Sequence, residues 1–403
     1  MSSAFERDIY PGKPKILFIG LAHSTHTHAW IDLLSHSDLN VRLFALPNGL
    51  PPESWKVKTY ITMPTSERLN PETRHKVYPP GRFGKIYARA FSRGAGAYPA
   101  RELAQVIRRW KPDVIHTLGL EPASYFYDSV RQAYGLEEYG KWVVQARGGP
   151  DLALHRLLPE YSEKIRLVME HCQQLIADNV LNYEYAVQMG LSKSKTCPLG
   201  ILPGTGGVDV SHLSNSWKGV PSRRRIILFP KAYDCPQSKA LPVFEALKSV
   251  MDKIQPCQIH MLAVDKETRM WYQTLPGDLR AISQLDARVP RQKVLDLMLE
   301  ARVMLAPSLS DGIPNSLYES MACGVLPILS PLETIRSVVG EPQNLLFARN
   351  LYPGEIADAL LRAMNDDILV DKVASNNLEL VRQIANREII STKVVDYYRS
   401  LVS

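Results

Sequence analysis

The sequence predicts an α/β protein built from two parallel sheets, each covered by helices. Three observations carry that prediction. Short apolar runs alternate with amphipathic helical patterns through both halves of the chain. The length, 403 residues, suffices for two domains of ordinary size. A glycine cluster at Pro203-Gly204-Thr205-Gly206-Gly207-Val208-Asp209 divides one alternating series from the other.

In the first half, Lys15 to Gly20 reads as a buried strand ending at a glycine, followed by a helix from about Thr27 to Leu34 and a second strand over Val41 to Leu46. Strand-like runs recur at Val114-Ile115-His116 and Trp142 to Gln145, with helical patterns around 99 to 110, 121 to 134 and 160 to 173. His23, His26 and His28 come after the first strand, where open α/β sheets gather ligand groups. His26 and His28 are therefore candidates for contact with an acceptor or a phosphate. No Asp, Glu or Cys neighbours them, so a metal site is not expected.

The second half repeats the plan. Strands are expected at 225 to 230, 258 to 264, 303 to 306 and 325 to 329, with helices at 240 to 252, 291 to 301, 315 to 323 and 354 to 364. The most informative stretch is Pro307 to Ser330, in which Asp311 and Glu319 flank a turn that opens a helix. Gly312 and Ile313 lead to Pro314, whose fixed backbone suits helix entry, and Asn315 or Ser316 can cap the helix. Gly324 supplies a left-handed stop before the strand Val325 to Leu329.

The first amides of such a helix lack internal partners and carry the positive end of its dipole, so Asn315, Ser316 and Leu317 can hold a phosphate on their backbone. Glu319 lies one turn further on, on the face of Asn315 and Ser316, where its carboxylate can accept hydrogen bonds from a ribose diol. Asp311 can do the same for sugar hydroxyls. Neither carboxylate suits a diphosphate, so cations must come from elsewhere. Lys231 and Lys239, after the strand-like run Arg225 to Phe229, are the candidates; taken alone, two solvated lysines would be the ordinary reading.

Asp311-Gly312-Ile313-Pro314, Glu319 eight positions after Asp311, and Ser320-Met321-Ala322-Cys323-Gly324 leading to Pro327 resemble the signature of the family-four retaining glycosyltransferases of the GT-B fold. Pro203 to Asp209 looks like that family's hinge with extra residues, and Ile176-Ala177-Asp178-Asn179 like the strand before it. The resemblance implies two Rossmann-like domains facing across a cleft: residues 1–205 on the acceptor side, 206–385 binding the nucleotide sugar, and a helix in 386–403 that crosses back to the first domain. It implies transfer of a sugar from a UDP- or GDP-linked donor to a hydroxyl of a glycan or lipid-linked acceptor, without metal or other cofactor. Lys231, Lys239 and Asp311 would act at the reacting centre. Gly312 to Leu317, Glu319 and the loop at Arg288 and Val289 would hold the donor, and Arg147 and Asp151, in a loop resembling a cleft loop of the family, would face the acceptor.

Departures from the pattern concern the donor. The first acid is Asp where Glu is usual, and Lys231 and Lys239 are eight apart where the family has Arg and Lys five apart, so their loop must bulge. Gln258 to Asp265 stands where a glycine-bearing strand end is common, and Ser330-Pro331-Leu332-Glu333 replaces a glycine-rich turn. Two other functions fit the same architecture: a non-catalytic sugar-nucleotide-binding subunit and a nucleotide-sugar epimerase. A Rossmann dehydrogenase is disfavoured, because Gly20-Leu21-Ala22-His23 is not a Gly-x-Gly-x-x-Gly turn.

Composition narrows the setting. No apolar stretch approaches the roughly 18 residues that suggest a membrane span, and the first ten residues do not read as a signal peptide. Cys172, Cys197, Cys235, Cys257 and Cys323 are scattered without metal-ligand spacing, which points to a reducing cytosol. From Glu67 to Lys111 there are eleven Lys/Arg against three Glu, an excess of plus eight beside plus seven for the whole chain. Within it Arg82, Lys85, Arg89 and Arg93 recur at helical spacing opposite Phe83, Ile86, Tyr87, Ala90 and Phe91. Residues 82–93 thus read equally as a helix on an anionic membrane surface and as one packed on the first domain. No nucleic-acid-binding motif accompanies the charge.

Overall fold

The computed structural model describes residues 4–78, 84, 86, 97–148 and 150–402. The chain forms two compact units, Met1–Gly206 with Ile389–Ser403, and Gly207–Glu388.

The first unit holds seven parallel strands: β1 (Lys15–Gly20), β2 (Asn40–Ala45), β3 (Lys58–Ile61), β4 (Arg74–Lys76), β5 (Val114–Leu118), β6 (Lys141–Ala146) and β7 (Gln174–Ala177). Their order is β4-β3-β2-β1-β5-β6-β7, with Ile16 registered against Val41 on one side and Val114 on the other. The run Lys15–Gly20 is apolar on both faces because both are covered. Leu17 and Ile19 pack with Leu103 and Ile107 of the helix Tyr98–Trp110, while Ile16 and Phe18 pack with Trp30, Leu33 and Tyr398.

Tyr398 belongs to the last helix, Arg387–Val402, which closes the second face of this sheet. Its hydroxyl, fully buried, accepts a hydrogen bond from Trp30 Nε1 at 3.1 Å and meets His116 Nδ1 at 2.5 Å. Burial holds the His116 imidazole neutral, well below the usual histidine range. At Gly206, where the first unit's main segment ends, a glycine is required twice over: its φ is +76°, and a Cβ there would lie 2.5 Å from Leu33.

The second unit holds six parallel strands: β8 (Ile226–Phe229), β9 (Gln258–Met261), β10 (Ser283–Leu285), β11 (Ala301–Leu305), β12 (Leu326–Leu329) and β13 (Leu346–Phe347), in the order β10-β9-β8-β11-β12-β13. Side chains alternate between two cores. Ile227 and Phe229 pack with the helices Leu241–Ile254 and Pro353–Asn365, whereas Leu228 packs with Met298, Leu317 and Met321 on the other face. The chain reverses its winding between β8 and β11, as it does between β1 and β5 in the first sheet.

The expected strands and helices are present with ends shifted by a few residues; the first helix, for example, runs Thr25–Ile31 and tightens into a 3-10 turn at Asp32–Leu34. The short outer strands β3, β4, β10 and β13 add to the expected set, as does the 18-residue helix Asp367–Ile384. The stretch 82–93 lies outside the described residues except for 84 and 86. Among the described residues, no helix is long and apolar enough to cross a membrane.

Candidate functional site

The switch point between β8 and β11 places two loops side by side at the carboxyl ends of adjacent strands, with Leu228 registered against Met304. Hydrogen bonds join them: the Leu309 N–H donates to the Gln237 carbonyl at 2.7 Å, and the Ser238 side-chain hydroxyl to the Pro307 carbonyl at 3.3 Å. A tight turn between Cys235 and Ser238 absorbs the long spacing from Lys231 to Lys239. Buried Asn350, which comes after β13, braces both loops, donating to Pro307 and Lys239 carbonyls at 2.9 and 3.0 Å and accepting from the Lys239 amide at 3.1 Å.

Lys231 and Asp311 meet in this frame, with Nζ 2.6 Å from Oδ2. The other carboxylate oxygen, Oδ1, accepts from the Gly312 amide at 2.9 Å, and the Thr334 hydroxyl donates to the Asp311 carbonyl at 3.0 Å, so the acid is held from three sides. Burial alone would lower the Lys231 pKa, but the neighbouring Asp311 outweighs it and raises the amine above its ordinary value. Lys239 has a looser partner: its Nζ is 3.9 Å from Asp234, and it is half-exposed.

After Ile313, packed in the core, the helix Asn315–Ala322 begins. Pro314 occupies the cap position and its side chain makes no cap bond, so the expected cap by Asn315 or Ser316 is corrected: both lie inside the first turn, having extended Pro314 before them. The Ser316 hydroxyl is buried without a partner. Of the three amides expected to face a phosphate, that of Leu317 already donates to the Pro314 carbonyl at 2.9 Å. Gly324 ends the helix as expected, with φ +71°, and a Cβ there would strike Trp217, whose indole N–H holds the Ala322 carbonyl at 2.8 Å.

Glu319 is buried, and its carboxylate is engaged. Arg291, at the start of the helix Arg291–Glu300, places Nε at 2.9 Å and Nη2 at 2.7 Å from the same oxygen, Oε1. Burial raises the Glu319 pKa and Arg291 opposes the rise. Arg291 was not among the expected residues: nothing local marks it among the chain's many arginines, and it lies 28 positions from its partner.

Arg288 is exposed and Val289 partly buried, in the loop between β10 and that helix. The loop lies beside the end of β9, with Val264 and Ala263 amides donating to Asp286 and Ala287 carbonyls at 3.1 and 3.4 Å. Ala263 has φ +59°, the left-handed conformation a glycine would take.

In the first unit, His28 points Nε2 at the Ala22 carbonyl, 2.6 Å away, and packs at a tilt against Trp55; burial lowers its pKa. His26 is exposed. Asp151 accepts from the amides of Arg147 and Leu120 at 3.2 and 3.3 Å, tying the ends of β6 and β5, and the Arg147 guanidinium donates to Gln145 at 2.8 Å. Burial raises Asp151 and lowers Arg147 to about 10. Asp178 joins them: it accepts from the Gly148 amide at 2.7 Å and from Asn179 and Asn182, and burial pushes it up to about 6. Among the described residues, no group of three or more His, Cys, Asp or Glu is gathered to hold a metal ion.

Residues 224–366 match the family described as Glycosyl transferases group 1. A phosphatidyl-myo-inositol mannosyltransferase of Mycobacterium leprae (strain TN) is 25% identical over 204 residues, which are 49% of this chain and 53% of that enzyme, so the match spans about half of each. Among solved structures, Anabaena HepE in complex with UDP and glucose is similar with a TM-score of 0.66 at 14% identity, covering 96% of this chain and all of that one. Sucrose-phosphate synthase from Thermosynechococcus elongatus gives 0.68 at 15% identity, covering 96% and 99%. These likenesses extend over both units and establish the architecture. Residues 224–366 thus match the group 1 glycosyl transferases, and the chain has the GT-B fold.

Proposed function

We propose that this chain is a retaining glycosyltransferase that moves a sugar from a UDP- or GDP-linked donor to a hydroxyl of a glycan or lipid-linked acceptor. The observation that supports it best is the Lys231–Asp311 contact at the switch point of the second sheet, where an amine and a carboxylate are held on one frame. In the transfer, the bond from the anomeric carbon to the diphosphate breaks and a bond to the acceptor oxygen forms. The acceptor's proton passes to the departing phosphate oxygen.

The barrier is charge separation between diphosphate and an oxocarbenium-like sugar. Lys231 and Lys239 stabilise the growing negative charge, with the first amides of the helix Asn315–Ala322. Asp311 orients sugar hydroxyls and Glu319 the ribose. Neither needs to act as a nucleophile, and the two lysines supply the charge that a metal would. Arg288 and Val289 border the base. The acceptor is assigned to the first unit, near His26, His28, Arg147 and Asp151, and the basic residues 82–93 would draw an anionic lipid carrier or membrane surface at the cytoplasmic face.

Turnover of the purified chain with a panel of UDP-, GDP- and ADP-sugars tests the proposal. Transfer or slow donor hydrolysis is expected with one of them. Tight binding without either reaction would instead identify a non-catalytic sugar-nucleotide-binding subunit, and interconversion of the donor sugar an epimerase.

A further inference from the structure

The Arg291–Glu319 pair has an asymmetry with consequences. Both guanidinium contacts, at 2.9 and 2.7 Å, fall on Oε1, so Arg291 uses a single carboxylate oxygen where a fork could have used two. The arginine's position is set by Pro290 at the helix entry, and Glu319 is fixed on a helix whose Leu317 and Met321 are in the core. The acid is buried while half of the arginine side chain stays in solvent, so the contact anchors the carboxylate more than the guanidinium. Among the described residues, Cys323, which ends the same helix, also interacts electrostatically with Glu319, and Arg224 in turn donates to the Cys323 carbonyl at 2.8 Å.

We propose that Arg291 is a positioning residue for donor binding: it pins Oε1 of Glu319 so that Oε2 is presented, ionised and in a fixed rotamer, to the hydroxyls of the donor's ribose. This rests on the nucleotide-sugar reading above. A buried carboxylate without its cation drifts toward the neutral acid, and a neutral acid is a weaker acceptor for two hydroxyls. Arg291 therefore acts on the donor through Glu319 and touches no reacting atom.

Calorimetric binding of UDP-glucose and GDP-mannose to the full chain, at pH 6 and pH 8, tests this with the variants R291M, R291K, E319Q and R291M/E319Q. Neither probe's diphosphate changes protonation in that window. R291M is expected to weaken binding about tenfold at pH 8, the equivalent of one charge-assisted hydrogen bond, and to lose several-fold more at pH 6, while the parent protein changes little. R291K keeps the charge and removes the two-point grip, so its affinity falls without the added loss at pH 6; it also serves if R291M does not fold. In the E319Q background R291M should change nothing further. Parent-like binding by R291M, or a full additional loss in the double variant, overturns the proposal, the latter because Arg291 would then contact the donor itself. If the parent protein binds neither probe, the nucleotide-sugar reading falls and this inference with it.

Discussion

Lys231 Nζ and Asp311 Oδ2 lie 2.6 Å apart across the junction of β8 and β11, although the residues are separated by 80 positions in the chain. The contact couples the cation proposed to meet the diphosphate to the acid proposed to meet the sugar. A donor entering here would compete for the ammonium with its phosphates and for the carboxylate with its hydroxyls. The pair is thus ready to part without leaving either group unpaired.

Replacing Lys231 with alanine should therefore reduce kcat by about two to three orders of magnitude, the usual effect of deleting one preorganised stabilising group. Because the Lys231 pKa is raised, the amine stays protonated through neutral and mildly alkaline solution, and rates between pH 6 and 9 should show no fall attributable to it. Steady-state kinetics of the variant with the best donor checks both points. A variant within tenfold of the parent would remove Lys231 from the reacting centre.

Tyr398 anchors the returning helix through polar contacts inside an apolar face. Tyr398→Phe keeps the ring in place but takes away the acceptor for Trp30 Nε1 and the partner of His116 Nδ1, whose Nε2 is already buried without one. Each buried group left unpaired costs about 1–3 kcal/mol, so a loss of about 2 kcal/mol or more is expected. Urea unfolding measures it, and a change under about 0.5 kcal/mol would mean that packing alone seats the helix.

The legibility of each element in the sequence depends on its physics. β1 and β8 were readable because strands covered on both faces are continuous apolar runs, and the helix Asn315–Ala322 because Pro314 and Gly324 punctuate it. β4 and β10 were not, since outer strands of three residues with mostly polar side chains have no period to detect. Asp311, Lys231 and Glu319 stood out by residue type near strand ends. Their partners did not: Arg291 and Asn350 act through contacts 28 and 111 positions away, and only the fold brings those together. Asn350 in particular lies in a stretch without any motif, yet it ties the two loops of the site.

Asp178 makes the stability depend on pH in a direction opposite to that of most carboxylates. Its pKa stands at about 6 in the folded chain against an ordinary 3.8, so between these values the folded state binds the proton more tightly than the unfolded one. The contribution is fully favourable below about pH 4, falls as pH rises to about 6, and is level above that, a loss of ~3 kcal/mol for a shift of about two pKa units. Asp178→Asn cannot titrate. The difference in unfolding free energy, parent minus variant, should therefore decline by that order between pH 4 and 7 in urea titrations. Parallel curves would show that Gly148, Asn179 and Asn182 hold the ionised form as well as water does.

Ala263 offers the converse case, a single residue whose replacement by glycine should help. At φ +59° an alanine bears a steric cost of roughly 1–2 kcal/mol that a glycine does not. Against this, glycine makes the unfolded chain more flexible, which ordinarily costs about 0.4–1 kcal/mol. The first effect is the larger, so Ala263→Gly should leave the protein unchanged or stabilise it by about 0.5 kcal/mol, whereas the same change at neighbouring Ala287, which has no positive φ, should destabilise it by a similar amount. Ala263→Val should be worse than either, because a β-branched side chain fits the left-handed region poorly. Thermal and urea unfolding of the three variants separates the terms: equal losses for both glycine variants would mean that the turn after β9 relaxes out of the left-handed conformation in solution, and that the amides of Ala263 and Val264 no longer hold the 286–287 loop in place beside Arg288 and Val289.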